Sequence, residues 1–273
     1  MKTYTEKDTE IFYDEEDEIY RSFWDDKGSL HWGLFNKNNE DYLTASENLT
    51  KLMEEKADIN SNSNVLDVGC GNGEVTIQLA KKFNCKLIGI DLSGVRIENA
   101  NKKLKENSEI SYLIKFKKAS ATSLPFPNES FSHVWSQATI YHVHDKDKAL
   151  SEIFRILKKE GIFAFDDLTK PKKDISKDAE KYVYERLLFD TPFSFESYKD
   201  KLKEVGFEIL ESIDLSEHLK KSYQELKRIL EMKIKSNNAQ YSKDYKNLIF
   251  AYQKMVEAID KKELGWAMYI CKK

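Results

Sequence analysis

Three cysteines in 273 residues, Cys70, Cys85 and Cys271, are too few and too scattered for a disulfide framework or for metal-ligand pairs. They read as free thiols of a reducing compartment, and no metal site is expected. The chain also lacks an apolar run of membrane-spanning length, and its first residues, MKTYTEKDTEIFYDEEDE, are polar and acidic where a signal peptide would be apolar. A cytoplasmic protein without membrane insertion is expected. An excess of one charge is missing too: 44 Lys and Arg against 47 Asp and Glu create no field that would gather phosphate backbones, so nucleic acid is not an expected partner. Glycine is scarce, at ten residues, yet Gly69, Gly71 and Gly73 alternate within VLDVGCGNG (65–73), directly after an apolar run. Glycine costs backbone entropy in regular structure, so such a cluster marks a tight turn or the close approach of a ligand to bare backbone.

What is present is enough for a large core: 40% of the residues are hydrophobic. Short β-branched runs at 64–68, 86–91, 114–119, 133–137, 162–167, 207–214 and 264–272 read as strands. Between them, apolar residues at helical spacing predict helices over 73–83, 95–107, 146–161 and 194–206. This alternation predicts an α/β, Rossmann-like, seven-stranded and mostly parallel sheet with helices on both faces, and ligands then bind at the carboxyl ends of the strands. Helical insertions are expected at about 176–189 and 216–259, as caps. Residues 1–60 are expected to form an N-terminal helical or lid segment, and 61–273 the main domain.

A strand ending at Val68, a glycine turn and a helix starting near Gly73 form a nucleotide-binding arrangement. Charge separates the candidate ligands. The dinucleotide pattern G-x-G-x-x-G fails at Glu74 and Val75, and Asp67 with Glu74 would repel a pyrophosphate; a Walker loop lacks its Lys-Ser or Lys-Thr pair. An adenine nucleoside carrying positive charge suits these acids, and S-adenosylmethionine has both an ammonium and a sulfonium. Asp91, about 20 residues on at the end of the second strand, stands where an acid takes ribose hydroxyls.

VLDVGCGNG followed by GIDLS resembles motifs I and II of the class I S-adenosylmethionine-dependent methyltransferases. SATSLPFPNESFSHV (120–134) is similar to their adenine loop and fourth strand, and FRILKKEGIFAFDD (154–167) to the helix leading into strand five. The resemblance covers roughly residues 60–215. It implies that Asp67, Gly69 and Gly71 surround the methionine part, Asp91 and Leu92 the ribose, and Ser120 and Ala121 the adenine, with Gln137 beside the methionine moiety. Where the family usually has an acid contacting the adenine amine this chain has Ser120, so that contact is expected to be weaker or supplied by a neighbour.

The segment IFYDEEDEIYRSFWDDKGSLHWGLF (11–35) is similar to the start of the glycine, sarcosine and dimethylglycine N-methyltransferases, and more loosely to phosphoethanolamine and tocopherol-type enzymes. It is either a helix packed on the domain or a lid. Aromatic faces attract methylated ammonium groups, so Tyr20, Trp24, His31 and Trp32 are placed near the acceptor. Tyr141, His142 and His144 follow strand four, where acceptors meet the methyl group; His142 is open to accepting a proton or orienting the acceptor. One of Asp166 and Asp167 is expected to face the cleft, and Arg186 is the available clamp for an acceptor carboxylate. No Asn/Asp-Pro-Pro-aromatic motif of nucleobase methylation is present. The function expected is N-methylation of a small-molecule amine such as sarcosine or dimethylglycine. The alternatives are C- or O-methylation of a lipophilic ring or isoprenoid acceptor, and a catalytically silent S-adenosylmethionine-binding protein. Oligomeric state stays open.

Overall fold

Each of the seven strand-like runs is a strand in the structure, a computed structural model that describes residues 4–26, 28–37, 40–188, 192–236 and 241–273. The strands are β1 (Asn64–Val68), β2 (Lys86–Asp91), β3 (Ile114–Lys118), β4 (Phe131–Gln137), β5 (Leu157–Thr169), β6 (Glu208–Asp214) and β7 (Gly265–Lys272). They form one sheet in the order β3-β2-β1-β4-β5-β7-β6. Only β7 runs against its neighbours, β5 and β6. The order reverses between β1 and β4, which opens a crevice at their carboxyl ends.

The helices are α1 (Glu6–Arg21), α2 (Tyr42–Ala57), α3 (Glu74–Phe83), α4 (Gly94–Glu106), α5 (Lys146–Ile156), α6 (Lys177–Ala179, continued by a π-helical turn over Glu180–Tyr184), α7 (Phe195–Val205), α8 (Ser216–Lys235) and α9 (Ser242–Asp260). Strand alternation divides the core. Val65, Trp135, Trp266 and Met268 pack with α2, α3, α8 and α9, whereas Leu66, Val134, Ala267 and Tyr269 pack with α5 and α7. Asp41 caps α2, whose Ala45, Leu49 and Met53 are fully buried, so this helix is built into the sheet's main core.

Two boundaries differ from the sequence expectation. The helix predicted over 146–161 ends at Ile156, because Leu157 turns extended and pairs with Phe131 of β4. Lys158, Lys159 and Glu160 are exposed, so their polarity fits a helix face as well as a strand end. The Lys273 amino group closes the end of α5 by donating to the carbonyls of Phe154 and Leu157, both at 2.8 Å. The insertion at 176–189 holds only the short α6 and its π turn; Phe189 lies outside the described residues. The cap expected over 216–259 is the antiparallel pair α8 and α9.

α1 starts with a capping box, Thr5 with Asp8, and lies across the crevice mouth. One face of it reaches the strand-end loops at successive turns. Glu10 pairs with Lys118 at 2.6 Å, Asp14 accepts from Ser93 Oγ, and Asp17 accepts from Asn72 Nδ2 at 2.9 Å and from Arg96 Nε at 3.2 Å. The chain then runs without regular structure through 28–35 into the core beside α8, where Gly33 N donates to Ser222 Oγ at 3.0 Å. Trp32 on this run is 2% exposed and packs against Trp266, Tyr223 and Tyr141. The segment 11–35 is therefore divided: α1 covers the crevice, and the run around Trp32 is part of the body.

Candidate active site

The glycine turn after β1 answers for its own composition. Gly69 has φ +78°, and a Cβ there would come within 2.1 Å of Thr139 Oγ1, so the turn is sealed against the loop after β4. Gly71 has φ +52°, but a Cβ there would meet nothing nearer than Arg96 Nη1 at 3.9 Å; its backbone is left bare toward the crevice. The N–H groups of Gly69 and Cys70 both donate to Ile90 O, which fixes the turn on β2.

This turn forms one wall of an open cleft. Asp67, Gly69, Gly71, Asp91, Leu92, Ser120, Ala121 and Gln137 all line it. Its charge is negative: Glu6, Asp67, Glu74 and Asp91 face one basic side chain, Arg96, among the described lining residues. Burial pushes the Asp67 carboxyl from the ordinary 3.8 up to about 7; the Asp91 charge adds to the rise, and the Thr76 hydroxyl hydrogen bond opposes it. Asp91 is also raised by burial, against the pull of Arg96 and of the N–H groups of Gly71 and Ser93, which it accepts at 2.9 and 2.8 Å. Carboxylates so desolvated favour a cationic ligand over a phosphate. Ser120 Oγ bonds to Glu6 of α1, which also accepts from Thr122 Oγ1 at 2.8 Å, so an acid stands beside Ser120, supplied from α1.

A second, smaller cavity adjoins the first and is walled by aromatic rings. Tyr20, Trp24, Trp32, Tyr141 and Arg186 line it together, with Tyr223 and Tyr252 from the α8–α9 cap. His31 lines the first cavity instead; it is buried, which pushes its imidazole down to about 4, so it is neutral there. Tyr13 borders both cavities. Its hydroxyl bonds to His142 Nε2 and lies 3.4 Å from Tyr141 Oη, and the Arg96 guanidinium stacks 4.0 Å from its ring centre. Burial lowers the His142 imidazole well below its usual range, helped by the charges of Lys146 and Arg96. Burial likewise raises the Tyr13 phenol. The pair is a neutral phenol on a neutral imidazole.

Neither aspartate of β5 lines either of these cavities, contrary to the expectation for Asp166 or Asp167. Alternation sends them to opposite faces of the sheet, where each accepts from a buried donor. Asp166 accepts from Trp266 Nε1 at 2.8 Å, and its carboxyl is pushed up to about 8 by burial. Asp167 accepts from Tyr141 N at 2.8 Å and from the Tyr198 hydroxyl at 3.0 Å, which holds in place the turn carrying Tyr141 and His142. His144 is exposed and borders neither cavity. Glu6, Tyr13 and Arg96 are the lining residues that the sequence does not single out. For Glu6 and Tyr13 the only signal is the density of acids and aromatics before the sheet; Arg96, near the start of α4, has none.

A model of the methyltransferase domain matches residues 66–165. The chain is 30% identical over 222 residues to a glycine/sarcosine/dimethylglycine N-methyltransferase of Actinopolyspora halophila, covering 81% of this chain and 39% of that enzyme. It is 27% identical to the (+)-O-methylkolavelool synthase of Herpetosiphon aurantiacus, over 97% of this chain and 93% of that one. A solved structure described as a putative sarcosine dimethylglycine methyltransferase from Galdieria sulphuraria superposes with a TM-score of 0.85 at 21% identity, over 95% of this chain and 98% of that one. Fold, glycine turn and acidic cleft are those of the class I S-adenosylmethionine-dependent methyltransferases, which this chain resembles. S-adenosylmethionine is the cofactor that the match supports, and the chain resembles the glycine/sarcosine/dimethylglycine group while spanning 39% of the length of the Actinopolyspora halophila enzyme. The cleft fits that cofactor: bare backbone at Gly71 and a ring of carboxylates suit a nucleoside bearing a sulfonium and an ammonium. No described helix is long and apolar enough to cross a membrane.

Asp67 gives the cleft a measurable pH dependence. Between pH 3.8 and about 7 the folded, empty protein holds a proton that the unfolded chain has released, so Asp67 removes stability as pH rises through that window. A cationic ligand favours the ionised form and expels this proton. S-adenosylmethionine affinity should therefore rise with pH below about 7, by at most about tenfold per unit. Calorimetry at pH 6 in buffers of different ionisation enthalpy should show proton release on binding, and Asp67→Asn should abolish it. Equal release in the variant would assign the proton to another group.

Proposed function

We propose that this protein is a methyltransferase that transfers the methyl group to the nitrogen of a small amine that also carries a carboxylate, of the sarcosine or dimethylglycine kind. The observation that carries the reading is Arg186, the one charged side chain among the described residues of an otherwise aromatic and aliphatic cavity. Its Nη2 donates to the Tyr20 hydroxyl at 3.1 Å, and its nearest carboxylate, Glu16, is 3.9 Å away and partly desolvated. That leaves its planar fork free to take a carboxylate. The buried hydroxyls of Tyr223 and Tyr252 have no partner among the described residues, which adds polar demand on the same cavity.

When bound, the cofactor supplies an electrophilic methyl on a sulfonium. The chain's own task is to present an unprotonated amine in line with it and to keep water out. The Tyr13 hydroxyl, held on the shared wall by its bond to His142 Nε2, orients the lone pair of an amine that binds in its unprotonated form. The surrounding rings hold the methylated cation. α1 closes the arrangement, with Tyr13 on its inner face. Three buried free thiols fit the reducing cytoplasm where we place the enzyme.

One observation favours a second reading, O-methylation of a lipophilic acceptor: the apolar walls, together with likeness to the kolavelool enzyme along nearly the whole of both chains. A scan of amino acids, plain amines and lipophilic alcohols with methyl-labelled S-adenosylmethionine decides between them. Arg186→Met should raise KM for a carboxylated amine by about 10- to 100-fold, the worth of a charged hydrogen bond, and leave an uncharged acceptor unaffected. Equal effects on both acceptors would count against the clamp.

A further inference from the structure

We propose that Arg96 is a positioning residue through which the occupied cofactor cleft orders α1 and Tyr13 over the acceptor. Arg96 stands near the start of α4 and is 7% exposed. Its guanidinium meets two residues of α1 one turn apart: Nε donates to Asp17 Oδ1 at 3.2 Å, and its face lies 4.0 Å from the centre of the Tyr13 ring. On the other side it reaches the glycine turn, where Nη1 is 3.9 Å from the place of a Gly71 Cβ. Nη2 is buried and has no hydrogen-bond partner among the described residues.

An arginine donor left dry and unpaired is costly, so this geometry is incomplete without an acceptor. Arg96 and Asp91 line the same wall. As a donor beside an acceptor, the two would together hold the ribose hydroxyls of S-adenosylmethionine. Once Nη2 is engaged, the planar guanidinium can no longer swing, and Tyr13 and Asp17 are fixed with it. Asp17 keeps further partners, Asn72 and Asn99, so α1 stays docked without the ligand. What the ligand adds is alignment of the Tyr13 hydroxyl at His142. The coupling holds whichever acceptor the enzyme uses, because it involves only the cofactor cleft and the lid.

Amide hydrogen exchange on the full chain, with and without saturating S-adenosylhomocysteine, tests it. In the wild type the ligand should slow exchange in α1 by about tenfold or more. Arg96→Met should weaken the ligand by about 10- to 100-fold and, at saturation, leave less than about twofold slowing of α1. Asp17→Asn cuts the ionic link without touching the ligand; affinity should stay within about threefold while most of the slowing disappears, and this variant decides the matter if Arg96→Met fails to fold. A merely structural arginine would loosen α1 equally with and without ligand and keep the ratio. Undiminished slowing in either variant, or none in the wild type, overturns the proposal.

Discussion

Tyr13→Phe should lower kcat by about 100-fold or more while leaving S-adenosylmethionine affinity within a few-fold, because it removes one oxygen at the wall between two cavities. That oxygen is the group through which His142 reaches the acceptor: it bonds to His142 Nε2 and lies 3.4 Å from Tyr141 Oη. The ring itself remains, with its stacking against Arg96 and its edge-to-face contact with His142. Stability should fall modestly, since a buried imidazole nitrogen loses its partner at a cost of about 1–3 kcal/mol. The pH profile separates this role from packing. Burial holds the His142 imidazole well below its usual range, so it stays neutral and keeps its bond to the Tyr13 hydroxyl from neutral pH down into acid; the wild-type rate should follow ionisation of the acceptor amine, with an additional fall in acid as the imidazole charges. In the Phe variant that additional acid limb should disappear, leaving the amine's ionisation alone. Variant turnover within a few-fold of wild type, with an unaltered profile, would remove Tyr13 and His142 from positioning the acceptor.

How far this site can be read from sequence depends on the kind of contact. The central strands are legible because they alternate between two buried faces, as Trp266, Met268 and Ile270 do against Ala267, Tyr269 and Cys271. The glycine turn and Asp91 are legible because a local backbone requirement fixes residue type at fixed spacing. Asp166 and Asp167 look like cleft residues for the same reason, standing at a strand's carboxyl end, but adjacent residues of a strand cannot face one way, and each finds a buried donor on its own side. Trp32 has the composition of a lid residue and the environment of core, because the chain after α1 dives beneath the cap. Truncating it to Ala should therefore remove stability first, about 3–5 kcal/mol. Arg96, Tyr13 and Glu6 were beyond reach for a different reason. Their partners stand 79, 129 and 114 residues away, and nothing local requires an arginine, a tyrosine or a glutamate at those places. A helix laid across the strand ends creates these contacts all at once, and its own pattern shows only that one face is polar.

Asp91→Ala should weaken S-adenosylmethionine binding by about 100-fold to 10,000-fold, since a carboxylate that takes two ribose hydroxyls contributes on the order of 1.5–3 kcal/mol for each hydrogen bond. The fold should survive. Asp91 ends β2 and is only half-buried, and its ladder with β1 and β3 is made by backbone. The empty protein should lose little, because burial already holds this carboxyl above its usual range, and removing a strained charge offsets the loss of its bonds to the N–H groups of Gly71 and Ser93. Those two donors then face open cleft and can turn to water. Loss of affinity should also be cofactor-specific in its chemistry: a ligand without the ribose diol, such as methionine methyl sulfonium, should bind wild type and variant equally weakly. Isothermal titration on the purified variant, with its melting temperature measured alongside, reads both expectations together. Unchanged affinity in a folded Asp91→Ala protein would move the ribose elsewhere in the cleft, and with it the reason for an acid at the end of the second strand.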